Sequence, residues 1–371
     1  MSVSFTAEHD QLRQVVREFL TKRSSMTAVR SLLDVSASRD DDVWLQMADQ
    51  LGLQGLAVPE EYGGSGSGQV ELGIVLEEMG RALLVGPYFG TVVLAGLTLA
   101  LSADPEAQRR WLPGIAAGSL TATLALTEES ASWDVEGLTA TAQPHGAEWQ
   151  LSGDKLFVVD GDTADLLLVV ARGPDGPAVF AVDPAAAGVT RARLEALDAT
   201  RALAAVELRD APGTRVGAGR DTAEWIGEVY DRSLAALASE QIGGAARCLE
   251  LAVEYAKVRE QFGRPIGSFQ AIKHKCAGLL VEVESGRSAV YHANAALDAA
   301  DPEASAAATV AKAYASETFT HAAKECIQIH GGIGFTWEHD AHLYLRRAKS
   351  SELLLGTPKQ QRARLADLVG I

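Results

Sequence analysis

Apolar residues recur at helical spacing from residue 6 to about 118: Leu12, Val15, Val16, Phe19 and Leu20 share one face, and Leu72, Val75, Leu76 and Met79 share another. This spacing predicts an N-terminal helical domain over residues 1–118. Between its helices, Val58–Gly68 (VPEEYGGSGSG) is dense in turn formers and predicts a loop, while Pro87 and Pro113 mark further boundaries. From 119 to 221 the pattern shortens to runs such as LTATLALT, DLLLVVAR and PAVFAVD, separated by Gly, Pro and Asp. These predict a middle β-domain, a barrel or a sandwich. Alanine- and leucine-rich stretches return over 222–371, interrupted at FGRPIGSF, and predict a C-terminal bundle of about four helices. The fold class is α+β, with helices, strands and helices in that order and no internal repeat.

The chain has 371 residues, of which 47% are hydrophobic, enough for a large multi-lobed unit or two to three domains. A net charge of −16 argues against nucleic-acid binding, which needs a concentrated basic face. Cys248, Cys276 and Cys326 sit in helix-like segments without CxxC or His/Cys metal spacing, so reduced core thiols are expected, as in a cytoplasmic protein. The start, MSVSFTAEHDQLRQ, lacks a basic region followed by an apolar one, and no uncharged run approaches the ~20 residues that cross a bilayer.

Candidate chemistry concentrates in Gln328–Thr357 (QIHGGIGFTWEHDAHLYLRRAKSSELLLGT). Gly331, Gly332 and Gly334 let a backbone come close to a pyrophosphate, because side chains there would block the approach. Upstream, Arg259–Gly263 (REQFG) pairs an arginine with an aromatic ring. A guanidinium binds oxyanions through paired donors, and a ring packs on flat groups.

Together with the strand-rich middle segment, these elements resemble the acyl-CoA dehydrogenase family across essentially the whole chain. The resemblance implies an N-terminal helical domain, a middle β-domain, a C-terminal four-helix bundle and FAD. It further implies a cofactor lying between subunits, one cradling the ring and its neighbour contacting the pyrophosphate and adenosine end. The neighbour's elements, RxxFG and QxxGG, are intact as Arg259, Phe262, Gly263 and Gln328, Gly331, Gly332, and Gln270 extends the match.

The ring-side elements depart from the family. In Leu126–Asp134 (LTEESASWD), Thr127, Glu128 and Asp134 remain, but Glu129 replaces a proline, Ser130 and Ser132 replace glycines, and Trp133 replaces a serine. Phe157, Val158 and Val159 stand for tryptophan, isoleucine and threonine. Valine cannot donate the hydrogen bond that the threonine makes near flavin N5. Leu355 stands where the family carries its glutamate base, and an aliphatic side chain cannot take a proton. Some members place that base on an earlier helix, at a position matching Ser233. Glu240, seven residues after Ser233, is displaced by about 10 Å at ~1.5 Å per residue.

The resemblance thus implies the non-catalytic subunit of a heteromeric, α2β2 acyl-CoA dehydrogenase, similar to those of actinobacterial steroid degradation. Its expected partners are a paralogous catalytic subunit, an acyl-CoA substrate and electron-transfer flavoprotein, with no membrane or nucleic acid. Two alternatives stand beside it: a homotetramer using Glu240, and a non-catalytic acyl-CoA-binding or assembly protein. His330 is expected to pack locally, His339 and His342 to bind no metal, and Arg346, Arg347 and Lys349 to form a solvated helix face.

Overall fold

In the computed structural model, residues 6–146 and 148–371 are described, so the first five residues of the N-terminal segment lie outside the described residues. In chain order come α1 (Ala7–Arg23), α2 (Met26–Asp34), α3 (Asp41–Asp49), α4 (Gln69–Ala82), a π-helical segment Phe89–Gly96, α5 (Leu97–Ala100) and α6 (Pro105–Ala116). The strands follow: β1 (Ala122–Ala125), β2 (Thr141–His145), β3 (Glu148–Val159), β4 (Leu166–Gly173), β5 (Gly176–Val182), β6 (Val189–Arg193) and β7 (Leu203–Val216). Last are α7 (Thr222–Val258), the two-residue strands β8 (Glu260–Gln261) and β9 (Arg264–Pro265), α8 (Gln270–Asp298), α9 (Ala304–His330), α10 (Ala341–Leu353) and α11 (Pro358–Val369). Among the described residues no helix is long and apolar enough to cross a membrane.

The chain divides into two compact units. One comprises Met1–Ser31, Gln69–Leu84 and Leu234–Ile371. It begins with a capping box, in which the Thr6 hydroxyl accepts from the His9 N–H at 3.3 Å while His9 Nδ1 accepts from the Thr6 N–H at 3.2 Å. The apolar stripe of α4 is buried as its spacing predicts, and Asp298 accepts from the Gln69 and Val70 N–H groups that begin it. Small residues bring α4 against α7. A Cβ at Gly80 would lie 1.9 Å from the Glu240 carbonyl oxygen, and one at Gly243 would lie 1.8 Å from that of Glu77. Neither glycine tolerates a side chain in this packing.

The other unit comprises Leu32–Gly68 and Val85–Ser233. Its strands pair around a closed circuit, β4 to β5, β5 to β7, β7 to β3, β3 to β2 and β2 back to β4, with β1 added to β4 and β6 to β7. Leu151, Val169, Phe180, Val206 and Leu208 fill its interior. Closure decides between the barrel and the sandwich. Pro113 differs from expectation: it lies inside α6, and its carbonyl still accepts from the Ala117 N–H at 3.0 Å. Helix propensity on either side carries α6 past the proline for less than a turn.

Candidate functional site

The nucleotide-side candidates lie in the first unit at the ends of its long helices. The α7 helix stops at Val258, and the chain reverses through the hairpin β8–β9, whose two central residues, Phe262 and Gly263, have φ of 53° and 71°. Two consecutive positive values give a turn whose twist matches its strands. The turn leaves Phe262 92% exposed, and its ring lies edge-on to that of Phe269, with centroids 6.1 Å apart. Arg259 is exposed next to this turn, and Gln270 is exposed as the first residue of α8.

The α9 helix ends at His330, with Gln328 exposed in its last turn. Gly331 then turns the chain at φ 64°. Gly332 is different. It has no positive φ, and a Cβ built on it meets nothing within 4 Å. Among the described residues nothing requires glycine there, so its smallness suits a body approaching from outside. Phe335 and Trp337 follow, 84% and 66% exposed, and apolar rings displayed in this way mark a contact surface.

Behind these residues the two helix ends are joined. The His330 ring stacks on Tyr255 of α7 with centroids 4.3 Å apart and lies 4.1 Å from the His339 ring, while its Nδ1 is 2.7 Å from the Cys326 carbonyl oxygen. His339 Nδ1 accepts from the Ala341 N–H at 3.1 Å, and His342 meets the Trp337 ring edge-on at 4.6 Å. Both imidazoles therefore pack the loop. Among the described residues no three His, Cys, Asp or Glu side chains gather closely enough to hold a metal ion. All three cysteines are free thiols, with Cys276 half-buried and the other two buried.

The segment matching the family's base also lies in this unit. Leu355 is 1% exposed and has φ 60°. Its carbonyl accepts from Gln361 Nε2 at 2.6 Å. Fully buried Lys312 reaches the Gly356 carbonyl at 3.2 Å and Ser316 Oγ at 2.8 Å, and Gln241 Nε2 donates to the same Ser316 Oγ at 3.0 Å. This network holds the loop in place while its side chain is an inert hydrocarbon. Lys312 carries no sequence signal for this role, because the Gly356 carbonyl that it reaches lies far along the chain.

Glu240 is committed elsewhere. Its Oε1 accepts from Arg347 Nη1 at 2.8 Å, both side chains are buried, and Arg347 Nη2 also donates to the Leu84 carbonyl at 3.1 Å. This corrects the expectation of a solvated basic face, since Arg347 points inward from α10. Glu352, also half-buried, accepts from Thr320 Oγ1 at 2.9 Å and Lys349 Nζ at 2.6 Å.

The remaining ring-side positions lie in the second unit. Burial would raise the Glu128 pKa, but Lys155 Nζ at 2.7 Å, the Thr139 hydroxyl and the Thr139 and Ala140 N–H groups outweigh it and hold Glu128 down at about 2. Burial in turn pushes the Lys155 ammonium down, opposed by Glu128. From this anchor the loop turns through Ala131 at φ 53° and sets Trp133 against Tyr230, centroids 5.5 Å apart. Phe157 stands at a bulge of β3 with φ 59°, 41% exposed, and Val159 is buried. Ser233, the alternative base position, is buried and donates to the Val229 carbonyl at 2.7 Å. Ala131, Phe157, Phe262 and Leu355 thus all hold a left-handed backbone, at roughly 1–2 kcal/mol each. The same conformation occurs at six other non-glycine residues, among them Ser36, Leu83 and Asp210, so it does not by itself mark the site.

The Glu128 anchor predicts an acid-sensitive unit. Its folded pKa is depressed, so its stabilisation is complete above the unfolded value of ~4.3. It is lost as pH falls toward about 2. Urea midpoints followed by tryptophan fluorescence are expected to drop through this window in the native protein. In Glu128→Gln the drop is expected to be shallower, and an unchanged slope would remove Glu128 from the account.

Models of the acyl-CoA dehydrogenase N-terminal, middle and C-terminal domains match residues 6–119, 123–211 and 228–369. Acyl-CoA dehydrogenase IpdE2 of Mycobacterium tuberculosis is 36% identical over 96% of this chain and 96% of its own length. Its Mycolicibacterium smegmatis counterpart is 35% identical over 96% and 97%. A solved Tcur3481–Tcur3483 steroid ACAD variant matches with a TM-score of 0.89 and 35% identity, over 98% of each chain. The ChsE4–ChsE5 complex from Mycobacterium tuberculosis matches with a TM-score of 0.91 and 30% identity, over 100% of this chain and 99% of that one.

Proposed function

The chain belongs to the acyl-CoA dehydrogenase family, and from that premise we propose that it is the non-catalytic subunit of a heteromeric member that dehydrogenates a bulky acyl-CoA between its α and β carbons. The family binds FAD, which would supply the acceptor for the β-hydrogen leaving as hydride while a protein base takes the α-proton. In this reading a paralogous subunit holds the flavin ring, the substrate and the base. Arg259, Phe262, Gln270, Gln328, Gly331 and Gly332 would hold the pyrophosphate and adenosine end of that subunit's FAD. The assembly is α2β2, passing electrons to electron-transfer flavoprotein.

Gly332 carries the reading. A Cβ built on it meets nothing within 4 Å, and it shares a unit with exposed Arg259, Phe262 and Gln328, a donor and stacking set that suits a dinucleotide. The ring-side positions fit a flavin less well, with Trp133 set on Tyr230 and hydrocarbon at Val159 and Leu355. Glu240 is held by Arg347 in a buried ion pair, which argues against its acting as a displaced base. A steroid side-chain thioester is the substrate class, supported by likeness to a steroid enzyme made of two differently named chains. In this reading the domains run over 1–118, 119–221 and 222–371, and three free thiols suit a cytoplasmic setting.

Flavin content per protomer tests this, measured by absorbance for the chain alone and then co-expressed with its paralogue. Flavin at half the protomer concentration, appearing only on co-expression, is the expected result. A full equivalent in the isolated chain would sink the shared site, and no flavin in either preparation would favour an assembly protein. Leu355→Glu in the isolated chain is expected to stay without dehydrogenase activity, because the ring side is altered at Trp133 and Val159 as well. Flavin-dependent turnover by that variant would show that the base alone was missing.

A further inference from the structure

The two nucleotide-side elements are separated in sequence, yet one side chain touches the supports of both. His330 closes α9 directly before Gly331, and its ring stacks at 4.3 Å on Tyr255, whose carbonyl accepts the Arg259 N–H at 2.9 Å as the chain leaves α7 for the hairpin. On its other side lies His339, at 4.1 Å, where the glycine turn rejoins α10. The 2.7 Å contact from its Nδ1 to the Cys326 carbonyl oxygen sets the ring's rotation, and burial leaves it no other place.

We propose that His330 is a positioning residue, which couples the Arg259–Phe262 hairpin to the Gly331–Gly332 turn through the Tyr255–His330–His339 stack. It does not touch the cofactor. A dinucleotide contacting both elements gains from finding them already at a fixed separation, because ordering them at the moment of binding costs affinity. The physical coupling stands on the geometry alone, whereas its consequence for cofactor binding rests on the proposed nucleotide-side role.

Hydrogen exchange on the chain alone separates these two layers. In His330→Ala, the amides of Arg259 and Ile266 at the hairpin base and those of Gly331–Phe335 are both expected to exchange faster. His330→Phe, which keeps a ring in the stack, is expected to restore slow exchange at both. Acceleration confined to Gly331–Phe335, or none at either place, would overturn the coupling. Should the alanine variant not fold, Tyr255→Leu removes the same contact from the other side and is read in the same way.

In the co-expressed complex, His330→Ala is expected to weaken FAD retention by about five- to tenfold, the scale of one lost ring contact, with rescue by His330→Phe. Unchanged retention beside a coupled exchange response would overturn the positioning role. Failure of the native complex to bind FAD would instead overturn the proposed function, leaving the exchange result standing.

Discussion

Replacing Arg259 with alanine is expected to weaken FAD binding by the two-subunit enzyme by about 10- to 100-fold, the cost of ~1.5–3 kcal/mol for a lost charge-assisted contact to a phosphate. The thermal midpoint of the isolated chain should not move. Among the described residues no carboxylate pairs with this guanidinium, and it lies exposed beside the hairpin, so removal breaks nothing internal. Arg259→Lys should recover only part of the loss, because an ammonium is a point charge that cannot grip two oxygens in the guanidinium's planar geometry. Isothermal titration of the deflavinated complex checks both variants. Native affinity in Arg259→Ala would show that this arginine does not face the cofactor.

Arg347→Met is expected to destabilise the folded chain by about 3–5 kcal/mol, because it leaves the Glu240 carboxylate buried without its 2.8 Å partner. The double variant Arg347→Met, Glu240→Gln should recover much of that loss. Removing both charges is cheaper than taking the guanidinium away from a buried carboxylate, and an amide replaces a carboxylate in nearly the same volume. Urea unfolding measures the set. The pair also decides the role of Glu240: Glu240→Gln in the assembled enzyme should lower stability and leave the maximal rate near native. Loss of turnover with unchanged stability would restore Glu240 as a displaced base.

Much of the fold was legible because its signals are local. The stripe Leu72, Val75, Leu76 and Met79 is buried on α4 as its spacing requires, and the interruption at FGRPIGSF is the hairpin turn, β9 and a short 3-10 turn leading into α8. Even local reading has limits, as Pro113 shows by lying inside α6 instead of at its boundary. Arg347 was misread for a different reason. In sequence it sits among Arg346 and Lys349 and looks solvated, but helix rotation turns it inward to a carboxylate on α7.

The candidate site divides along the same line. Glycine, arginine and aromatic spacing drew attention to Arg259, Phe262, Gly331 and Gly332, while Gln328 and the carboxylate missing at Leu355 were legible only through the family resemblance. By itself the sequence determined the order of helices and strands, the family resemblance and which side chains lack the chemistry for catalysis, since these depend on residue type and near neighbours. Only the tertiary structure decided that the sheet closes, that Arg347 engages Glu240, that Lys312 holds the Leu355 loop and that His330 stacks on Tyr255. Each of these joins residues far apart along the chain, and burial and ring geometry set their partners only once the helices and strands have packed.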